Sequence, residues 1–511
     1  MSSSKDLHLF NRETLTFTDK FYLLMDLLVS NQGSSYIEAF LFLTIYYLQT
    51  ITGFFSPLLS VFNITQSKSD SIIYYLLKLT RIRDLFSSSY TTYKIFIYLF
   101  AIYLLCTFAL FIILLFQTQR QPLYTFSHVI LNYLIKLYLF ILFNIILDFT
   151  ISAFCFGGDN PHFIGVTCSY SDKIGITIIS AIVFVINIIC NFFIHIYYSD
   201  SFYLSNSPYS KMACGYSSLM SINNVLYSII LNESKYLTRE IFFIYNTIMS
   251  ISLLKFYLTR CIYYNKSVHA LCGIFHVLYV WTALFFFIFA YINFEEKSLV
   301  YIVSSVIVLY FYFHLQYKIE EKLLLTIPFY KINNKYFLLY YIKSILDKIN
   351  IMDKDAEEKA ILTGILQMHA IECPNENCLT KNRNKIYLPI ANEWSDRSKP
   401  LINDRVFLMN FIVVVMNYFL KLNFYSPELI INEALYFLEI LGNYCLAMFY
   451  YKKVKEIKLN SQNRFTFRRL KHIISKALVA NLKPPNEPCW HLEDLDVTLF
   501  FKYIDLSQQL Y

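Results

Sequence analysis

The sequence predicts an all-α protein, in which a polytopic membrane helix bundle of about six transmembrane helices precedes a cytoplasmic TPR-like helical-hairpin domain. Apolar residues make up 56% of the chain, its mean hydropathy is +0.45, and only 16% of its residues are charged. Soluble domains have about 25% charged residues. Several apolar runs reach the ~20 residues that cross a hydrocarbon core of ~30 Å. After residue 317 these runs give way to helices of mixed polarity.

The chain begins with a polar N-terminal arm, residues 1–35, whose apolar patch FYLLMDLLV lacks the cleavage site of a secretory signal. We expect the first span at 36–55, ended by Pro57. The next segment, 69–86, places basic residues among apolar ones at helical spacing, which is typical of an interfacial helix. The second span is predicted at 93–116.

A membrane hairpin follows, with apolar runs at 128–154 and 174–198 joined by the polar loop FCFGGDNPHFIGVTCSYSDK. Cys155 and Cys168 lie near the two ends of this loop. Disulfides persist on the outer face of a membrane, and a bond between these cysteines would contribute about 3 kcal/mol in the chain-entropy picture. Two unpaired thiols near the membrane surface are the alternative interpretation.

The section 199–267 is predicted to contain a polar loop and two mixed helices. The second helix, EIFFIYNTIMSISLLKFYL, carries Glu240 and Lys255, which favour an interfacial or bundle-packed position over an extra span. Spans at 268–294 and 299–317, joined by the tight turn EEKS, complete the predicted membrane domain.

The distribution of basic residues predicts the orientation. Six crossings place both termini on one side of the membrane. Lys and Arg are concentrated in the N-terminal arm, in section 199–267 and after residue 317, whereas the hairpin loop has only Lys173 and the EEKS turn only Lys297. Cytoplasmic loops carry the excess of basic residues, so we expect both termini in the cytoplasm. The net charge of +8 is explained by topology and anionic headgroups, so the lipid membrane, and no nucleic acid, is the expected partner.

Residues 318–482 are predicted to form a cytoplasmic helical domain behind the membrane domain of 36–317, and 483–511 a linker with a short helix. The motif SPE, beginning at Ser426, has the form of a helix start. Short turns between antiparallel helices are typical of stacked TPR-like hairpins, for which cytoplasmic proteins are candidate partners. The predicted helices of this domain are 335–349, 355–371, 404–421, 427–440, 443–456 and 461–481.

One cluster has the composition of a metal site. His369 and Cys373 are four residues apart on a helix end, and Cys378 follows after a proline turn. Imidazole and thiolates suit Zn²⁺, which takes four ligands in a closed structural site. A fourth ligand would have to come from a distant residue such as His472 or Cys489. The alternative is a packed histidine beside two reduced cysteines.

Polar residues within the predicted spans are functional candidates, because ionisable groups are costly in a bilayer. Lys136 and Asp148 lie in the third span, and Asn187, Asn191 and His276 in the fourth and fifth. Asp148 is close to the outer end of its span, and Lys136 is within snorkelling distance of the inner end.

Several stretches resemble a known family. The cysteine loop with its following helix and YYSDSFYLSNSPYSK, and in the tail GILQMHAIECPNENC, SPELIINEALYFLEILGNYCLAMFYY and NSQNRFTFRRLKHIISKAL, resemble the tiny macrocysts family of protist multi-pass membrane proteins, abundant in ciliates. The resemblance covers most of 90–480 and implies that family's N-terminal membrane region and TPR-like region. Family members show H-x3-C-x4-C-x-C, whereas Thr380 stands at the last cysteine position here, so the implied metal set is incomplete. Their PAS-like sensory section and second membrane bundle are not expected in this sequence.

These observations favour a membrane-anchored interaction or sensory-type scaffold with a cytoplasmic helical domain. The alternative is a channel or transporter for an ion or small solute, which the intramembrane polar residues would serve. An enzyme is not expected, because the sequence has no Walker-type glycine loop, no G-x-S-x-G and no H-E-x-x-H. We therefore assign no catalytic residue, and a structural zinc is the only cofactor considered.

Overall fold

The computed structural model describes the residues 17–30, 35–52, 90–117, 124–154, 170–205, 207–211, 214–232, 239–260, 263–289, 297–325, 332, 334–351, 355–372, 404–422 and 426–481. In these ranges every regular element is a helix, and one isolated backbone bridge joins Lys211 to Tyr263. The chain packs into two compact units. Unit 1 comprises Met1–Ile327 and Tyr336–Lys343, and unit 2 comprises Pro328–Lys335 and Ser344–Tyr511.

Unit 1 consists mainly of long apolar helices. A π-helical turn, Tyr138–Leu142, joins two of them into one continuous rod. The helices are α1 (Phe17–Ser30), α2 (Tyr36–Thr52), α3 (Tyr90–Gln117), α4 (Tyr124–Leu137), α5 (Phe143–Ile151), α6 (Tyr170–Tyr197), α7 (Cys214–Asn232), α8 (Arg239–Arg260), α9 (Lys266–Phe289) and α10 (Lys297–Leu325).

Five stretches in this unit are long and apolar enough to cross a membrane, which is compatible with integral membrane localisation. They confirm the helices predicted for five spans. The span predicted at 36–55 falls on α2, a shorter apolar helix of 17 residues. Length and composition therefore identify five candidate spans among the described residues. The five stretches, on α3, the α4–α5 rod, α6, α9 and α10, are Thr91–Phe116, Phe126–Ile151, Ile174–Tyr197, Lys266–Ile288 and Leu299–Gln316.

Tyrosine hydroxyls join neighbouring rods through backbone carbonyls. The hydroxyl of Tyr93 donates to the carbonyl oxygen of Phe149 at 2.9 Å, and that of Tyr103 to the carbonyl oxygen of Leu134 at 2.6 Å. Residue numbers rise along α3 as they fall along the partner, so α3 is antiparallel to the α4–α5 rod. A cluster of buried apolar side chains from α3, the π-helical turn, α5 and α6 fills the space between these rods.

A second apolar cluster positions the polar groups described below. It is formed by α2, α7, α8 and α9 together with the π-helical turn, and it is rich in aromatic rings. The rings of Tyr47 and Phe275 lie parallel at 5.2 Å between centroids. Aromatic side chains bury large areas and also carry a polar end, which allows one cluster to supply both packing and hydrogen bonds.

Unit 2 contains shorter helices. The six helices predicted for the tail are confirmed to within two residues at each end, although the first of them, α11, contributes residues to both units. They are α11 (Lys335–Ile351), α12 (Ala356–Glu372), α13 (Asp404–Leu422), α14 (Pro427–Glu439), α15 (Tyr444–Lys455) and α16 (Ser461–Asn481).

Helix α14 is almost completely buried within the described part of unit 2, and α15 packs against it as a hairpin. Every residue from 429 to 438 is buried, so α14 has no solvent face over that length. Gly442, at φ 61°, follows α14 in the left-handed conformation that glycine adopts without strain. The Asn443 side chain then caps α15 by accepting from the backbone N–H of Leu446 at 3.1 Å. Ser426 precedes α14 as predicted, but its hydroxyl donates to Glu428 instead of capping the helix.

The closest approach between α9 and α10 depends on Gly273. A Cβ atom at this position would overlap the Tyr312 hydroxyl and lie 2.7 Å from its Cζ atom and 3.3 Å from Tyr257 Cε1.

We expect Gly273→Ala to destabilise the protein by about 1–3 kcal/mol through overpacking, measured as a lower thermal unfolding midpoint in detergent. Gly175→Ala is the control, since a Cβ there meets nothing within 4 Å. Equal midpoints for the two variants would contradict this packing.

Candidate functional site

Glu38 and Lys136 form an ion pair inside unit 1. Lys136 Nζ lies 2.6 Å from Glu38 Oε1, and the two side chains are 4% and 22% exposed. The ammonium also lies over the rings of Tyr133 and Tyr209, at 5.4 and 5.6 Å from their centroids, a cation–π arrangement. Within unit 1, α2 supplies the carboxylate that pairs with this ammonium, and the distance of Lys136 from the inner end of its span stays a prediction.

Two histidines of α9 lie among buried tyrosines. His276 Nε2 shares hydrogen bonds with the hydroxyls of Tyr216 and Tyr47, the latter at 3.3 Å, and the two hydroxyls lie 3.2 Å apart. The hydroxyl of Tyr257 reaches His269 Nδ1 at 2.9 Å, with the two rings stacked. These five residues, here called the tyrosine–histidine cluster, link α2, α7, α8 and α9. His276, which the sequence singled out, is therefore at a junction of helices.

An amide layer lies beside this cluster. Asn224 of α7 donates to Asn144 Oδ1 at 3.1 Å and to the Tyr46 hydroxyl at 3.4 Å. Gln49 of α2 donates to the carbonyl oxygen of Ile141 at 3.2 Å. Each of these bonds joins two different helical segments. Interhelical hydrogen bonds of this kind are worth about 0.6–2 kcal/mol in membrane proteins.

Asp148 accepts a hydrogen bond from α7. Ser228 Oγ donates to Asp148 Oδ1 at 2.9 Å. The predicted position of Asp148 near one end of its span agrees with its place three residues before the end of α5. Its partner could not be read from the sequence, because Ser228 is 80 residues further along the chain.

Asn187 stabilises the π-helical turn. The hydroxyl of Tyr138 donates to the backbone oxygen of Asn187 at 2.7 Å and to its Oδ1 at 2.8 Å. Asn187 Nδ2 donates to the carbonyl oxygen of Phe143 at 3.4 Å. A π-turn frees carbonyl groups from the regular α-helical pattern, and such turns are frequent at functional sites. The described part of the chain offers the buried amide of Asn191, by contrast, no hydrogen-bond partner.

A small cavity lies between the ion pair and the tyrosine–histidine cluster. Its volume is about 40 Å³, room for a water molecule but not for an organic solute. Lys211 Nζ donates to Ser217 Oγ at 2.5 Å on its wall. His195 and Tyr209 also line it, and in the described residues His195 Nδ1 and the Tyr209 hydroxyl have no hydrogen-bond partner. These groups suit an ordered water.

The polar groups together form a series along α7. Ser217 marks one end, beside Lys211, and Ser228 marks the other, beside Asp148. Eleven residues of helix separate the two serines, which corresponds to about 16 Å. We call the ion pair, the tyrosine–histidine cluster, the amide layer and the Asp148–Ser228 pair the polar core. This arrangement can hold the helices in register and bind water, and it places a series of hydrogen-bonding groups along the bundle.

The predicted metal ligands are only partly within the described residues. His369 is buried near the end of α12, with its ring edge-on to Phe411 at 4.9 Å between centroids. Cys373 and Cys378 lie outside the described residues, so the zinc site stays a prediction. Elsewhere in the described ranges, no group of three His, Cys, Asp or Glu side chains could hold a metal ion. The predicted disulfide of Cys155 and Cys168 also lies outside the described residues.

Two carboxylates of α14 have opposite environments in unit 2. Although burial raises the pKa of Glu428, hydrogen bonds from Asn463 Nδ2 at 2.9 Å and Lys335 Nζ at 3.0 Å bring it below its ordinary value. Glu433 is 1% exposed, and neither of its oxygens has a hydrogen bond within the described residues. Burial raises its pKa to about 8, against the opposing influence of Tyr450 and Lys453.

The fold and the polar core define a class: over the residues that the structure describes, the protein is all-helical, with five helices long and apolar enough to span a membrane and polar groups between them. Comparison of the chain with protein-family models, with curated proteins and with solved structures finds no match. The geometry of the chain itself therefore carries the functional argument.

The sequence did not single out several residues of the polar core. Glu38 is within the span predicted at 36–55, and its charge was a signal that could have paired it with Lys136. Tyr47 and Tyr216 gave no signal, because tyrosine is common throughout this chain. Asn224 lies in section 199–267, which was predicted to be outside the spans, so its amide was not among the polar residues predicted within spans.

We expect Lys136→Met to destabilise unit 1 by about 3 kcal/mol, because removal of one member of a buried pair leaves the other uncompensated. The double variant Glu38→Gln/Lys136→Met should recover much of this loss, since both charges are then absent. Thermal unfolding in detergent measures both effects. Lys255→Met, at an exposed lysine of α8, is the control. A double variant as unstable as the sum of its single changes would rule out coupling of the pair.

Glu433 predicts a pH dependence of unit 2. A carboxyl whose pKa is raised by folding binds more protons in the folded state, so stability falls as pH rises from the ordinary carboxyl value of 4.5 to about 8. The slope in that window is about 1 kcal/mol per pH unit. Glu433→Gln should flatten the dependence and stabilise the protein at pH 8, measured by thermal unfolding of the full chain. The exposed Glu456→Gln should leave the dependence as it is; a parent profile flat from pH 5 to 8 would exclude this assignment.

Proposed function

We propose that this chain is a multi-pass integral membrane protein that acts as a membrane-anchored interaction or sensory-type scaffold. In this proposal unit 1 is embedded with α2 as a sixth crossing, and unit 2 and both termini are cytoplasmic. The Glu38–Lys136 pair supports α2 as a crossing, because it joins α2 to the rod that contains Phe126–Ile151. The excess of basic residues in the tail supports its cytoplasmic side.

The single observation that carries the scaffold is the pairing of the polar core of unit 1, which leaves only a small polar cavity. Its polar side chains are largely paired with one another across helices. The cavity that they line, about 40 Å³, has room for water but not for a passing solute. A packed, internally bonded bundle is suited to holding helices in a defined arrangement, which an anchor or a sensor requires.

Unit 2 is proposed as the interaction domain. The α14–α15 hairpin, with its buried first helix and its glycine turn, supports a TPR-like arrangement of stacked helical hairpins. Membership of the tiny macrocysts family is part of this proposal, and it rests on the resemblance of the quoted sequence stretches alone. Cytoplasmic proteins are the proposed partners of this unit.

Transport of an ion or small solute is the second candidate. The polar series along α7, from Lys211 and Ser217 to Asp148 and Ser228, favours it, because conduction through a bilayer needs consecutive polar groups. In this alternative the groups of the polar core would be the pathway. A second conformation, more open than the one described, would then be required.

Purified protein in sealed liposomes separates the two candidates. For the scaffold we expect the flux of protons, K⁺ and small organic solutes to equal that of empty liposomes. Saturable flux that Lys136→Met abolishes would instead establish transport. The exposed Lys255→Met is the matched control, because it removes the same charge outside the ion pair. Release of the protein from membranes into the supernatant by alkaline carbonate would contradict both candidates.

A further inference from the structure

The helices α7 and α8 have the polarity of membrane helices, although neither contains a candidate span. Most of their exposed large side chains are apolar, and on α8 those from Ile241 to Ile251 recur at intervals of three and four residues, which is one face of a helix. Ile248, at the centre of that stripe, is 58% exposed. Ser252, Lys255 and Thr259 are also exposed, towards the C-terminal end of α8. The exposed large apolar side chains are Ile222, Leu226 and Ile229 of α7, and Ile241, Ile244, Ile248, Ile251 and Leu258 of α8.

The inward positions of the same helices combine polar with apolar side chains. Asn246 and Ser250 of α8 are buried on the face opposite the isoleucine stripe. A helix lying on a water-exposed surface would place amides outward and isoleucines inward. The arrangement is therefore the reverse of what water would favour. The buried polar side chains on α7 are Ser217, Ser221, Asn223, Asn224 and Ser228.

Contacts place α7 and α8 at the same depth as the candidate spans. On α7, Asn224 meets Asn144 and Ser228 meets Asp148, so α7 runs parallel to α5. On α8, Tyr257 meets His269 near the start of α9. Twelve residues earlier, Tyr245 bonds to Asn223, which in turn bonds to Tyr279 of α9. α8 is thus antiparallel to α9, a helix able to cross a membrane.

Length and charge fit a crossing. α7 has 19 residues and α8 has 22, which correspond to about 28 and 33 Å against a hydrocarbon core of about 30 Å. The sequence of α7 contains no charged residue, and that of α8 contains none between Glu240 and Lys255. Lys255 is exposed and lies five residues before the end of α8, where its long side chain can reach the interface.

We propose that α7 and α8 form an additional membrane hairpin, which contacts lipid hydrocarbon with its isoleucine stripe and closes the polar core with its amide face. The inference rests on the proposed membrane localisation. It changes the section 199–267 from a cytoplasmic segment to two further crossings, so the number of crossings stays even and both termini stay on one side. In this arrangement α7 and α8 cover the polar core on the sides that face them, at the depth of the bilayer.

The test compares two single cysteines in the full chain. Lys235→Cys lies between α7 and α8, and Ser267→Cys is at an exposed position at the start of α9. Sealed membrane vesicles are treated with a membrane-impermeant PEG-maleimide, before and after permeabilisation, and the tags added beyond those of the parent chain are counted on gels. We expect one of the two variants to gain a tag in sealed vesicles and the other only after permeabilisation.

Tagging of both variants from the same side would overturn the hairpin, because α7 and α8 would then not cross. Ser234→Cys serves as a second reporter if Lys235→Cys accumulates poorly. Alkaline carbonate extraction of the same vesicles distinguishes failure of the hairpin from failure of the membrane localisation. If the protein stays in the membrane and both cysteines are on one face, only the hairpin is excluded. If carbonate extracts the protein, the membrane localisation on which the hairpin rests is excluded.

Discussion

The structure of unit 1 depends on one constraint: a polar group surrounded by apolar material must find its partner within the protein. This constraint accounts for the pairing of Lys136 with Glu38 and of Asp148 with Ser228. It also accounts for the position of the tyrosines, whose hydroxyls reach backbone carbonyls of neighbouring rods. Apolar side chains are left for the outside, where α3 and α10 expose most of their length. The bundle therefore holds its polar groups between its helices, beside the two apolar clusters, and its exposed surface is largely apolar.

α7 has a particular part in this arrangement. It is the helix whose side chains bond to α2, α5, α8 and α9, through Tyr216, Asn223, Asn224 and Ser228. Its first half is rich in small residues, CGYSSLMS, which allow neighbouring helices to approach closely. The π-helical turn and the residue after it also bond to neighbouring helices, because the carbonyl oxygens of Ile141 and Phe143 accept from Gln49 and Asn187. Register in the bundle is thus set by directional bonds as well as by packing.

In unit 2 the exposed positions include charged residues such as Lys452, Lys455 and Glu456. Its helices bury apolar side chains, and basic residues gather at the C-terminal end of α15, where they favourably oppose the helix dipole. Hydrogen bonds and the Lys335 ammonium hold the pKa of Glu428 below its ordinary value, whereas burial raises the pKa of Glu433 to about 8. Burial of a carboxyl group on a helix that is itself buried on every side lowers the free energy of unfolding of a small helical unit. The stability of α14 therefore depends on the protonation of Glu433.

The sequence by itself determined which segments are helical and which of them can span a membrane, because run length and periodicity are local properties. Five span positions and the six tail helices follow from such local patterns. Only the tertiary structure decided which polar residues meet, because the partners are remote in the chain: 98 residues separate Glu38 from Lys136, and 60 separate Tyr216 from His276. The role of section 199–267 was also beyond the sequence. Its amides lower its hydropathy as they would in a water-exposed helix, and packing against α5 and α9 shows that they point inward.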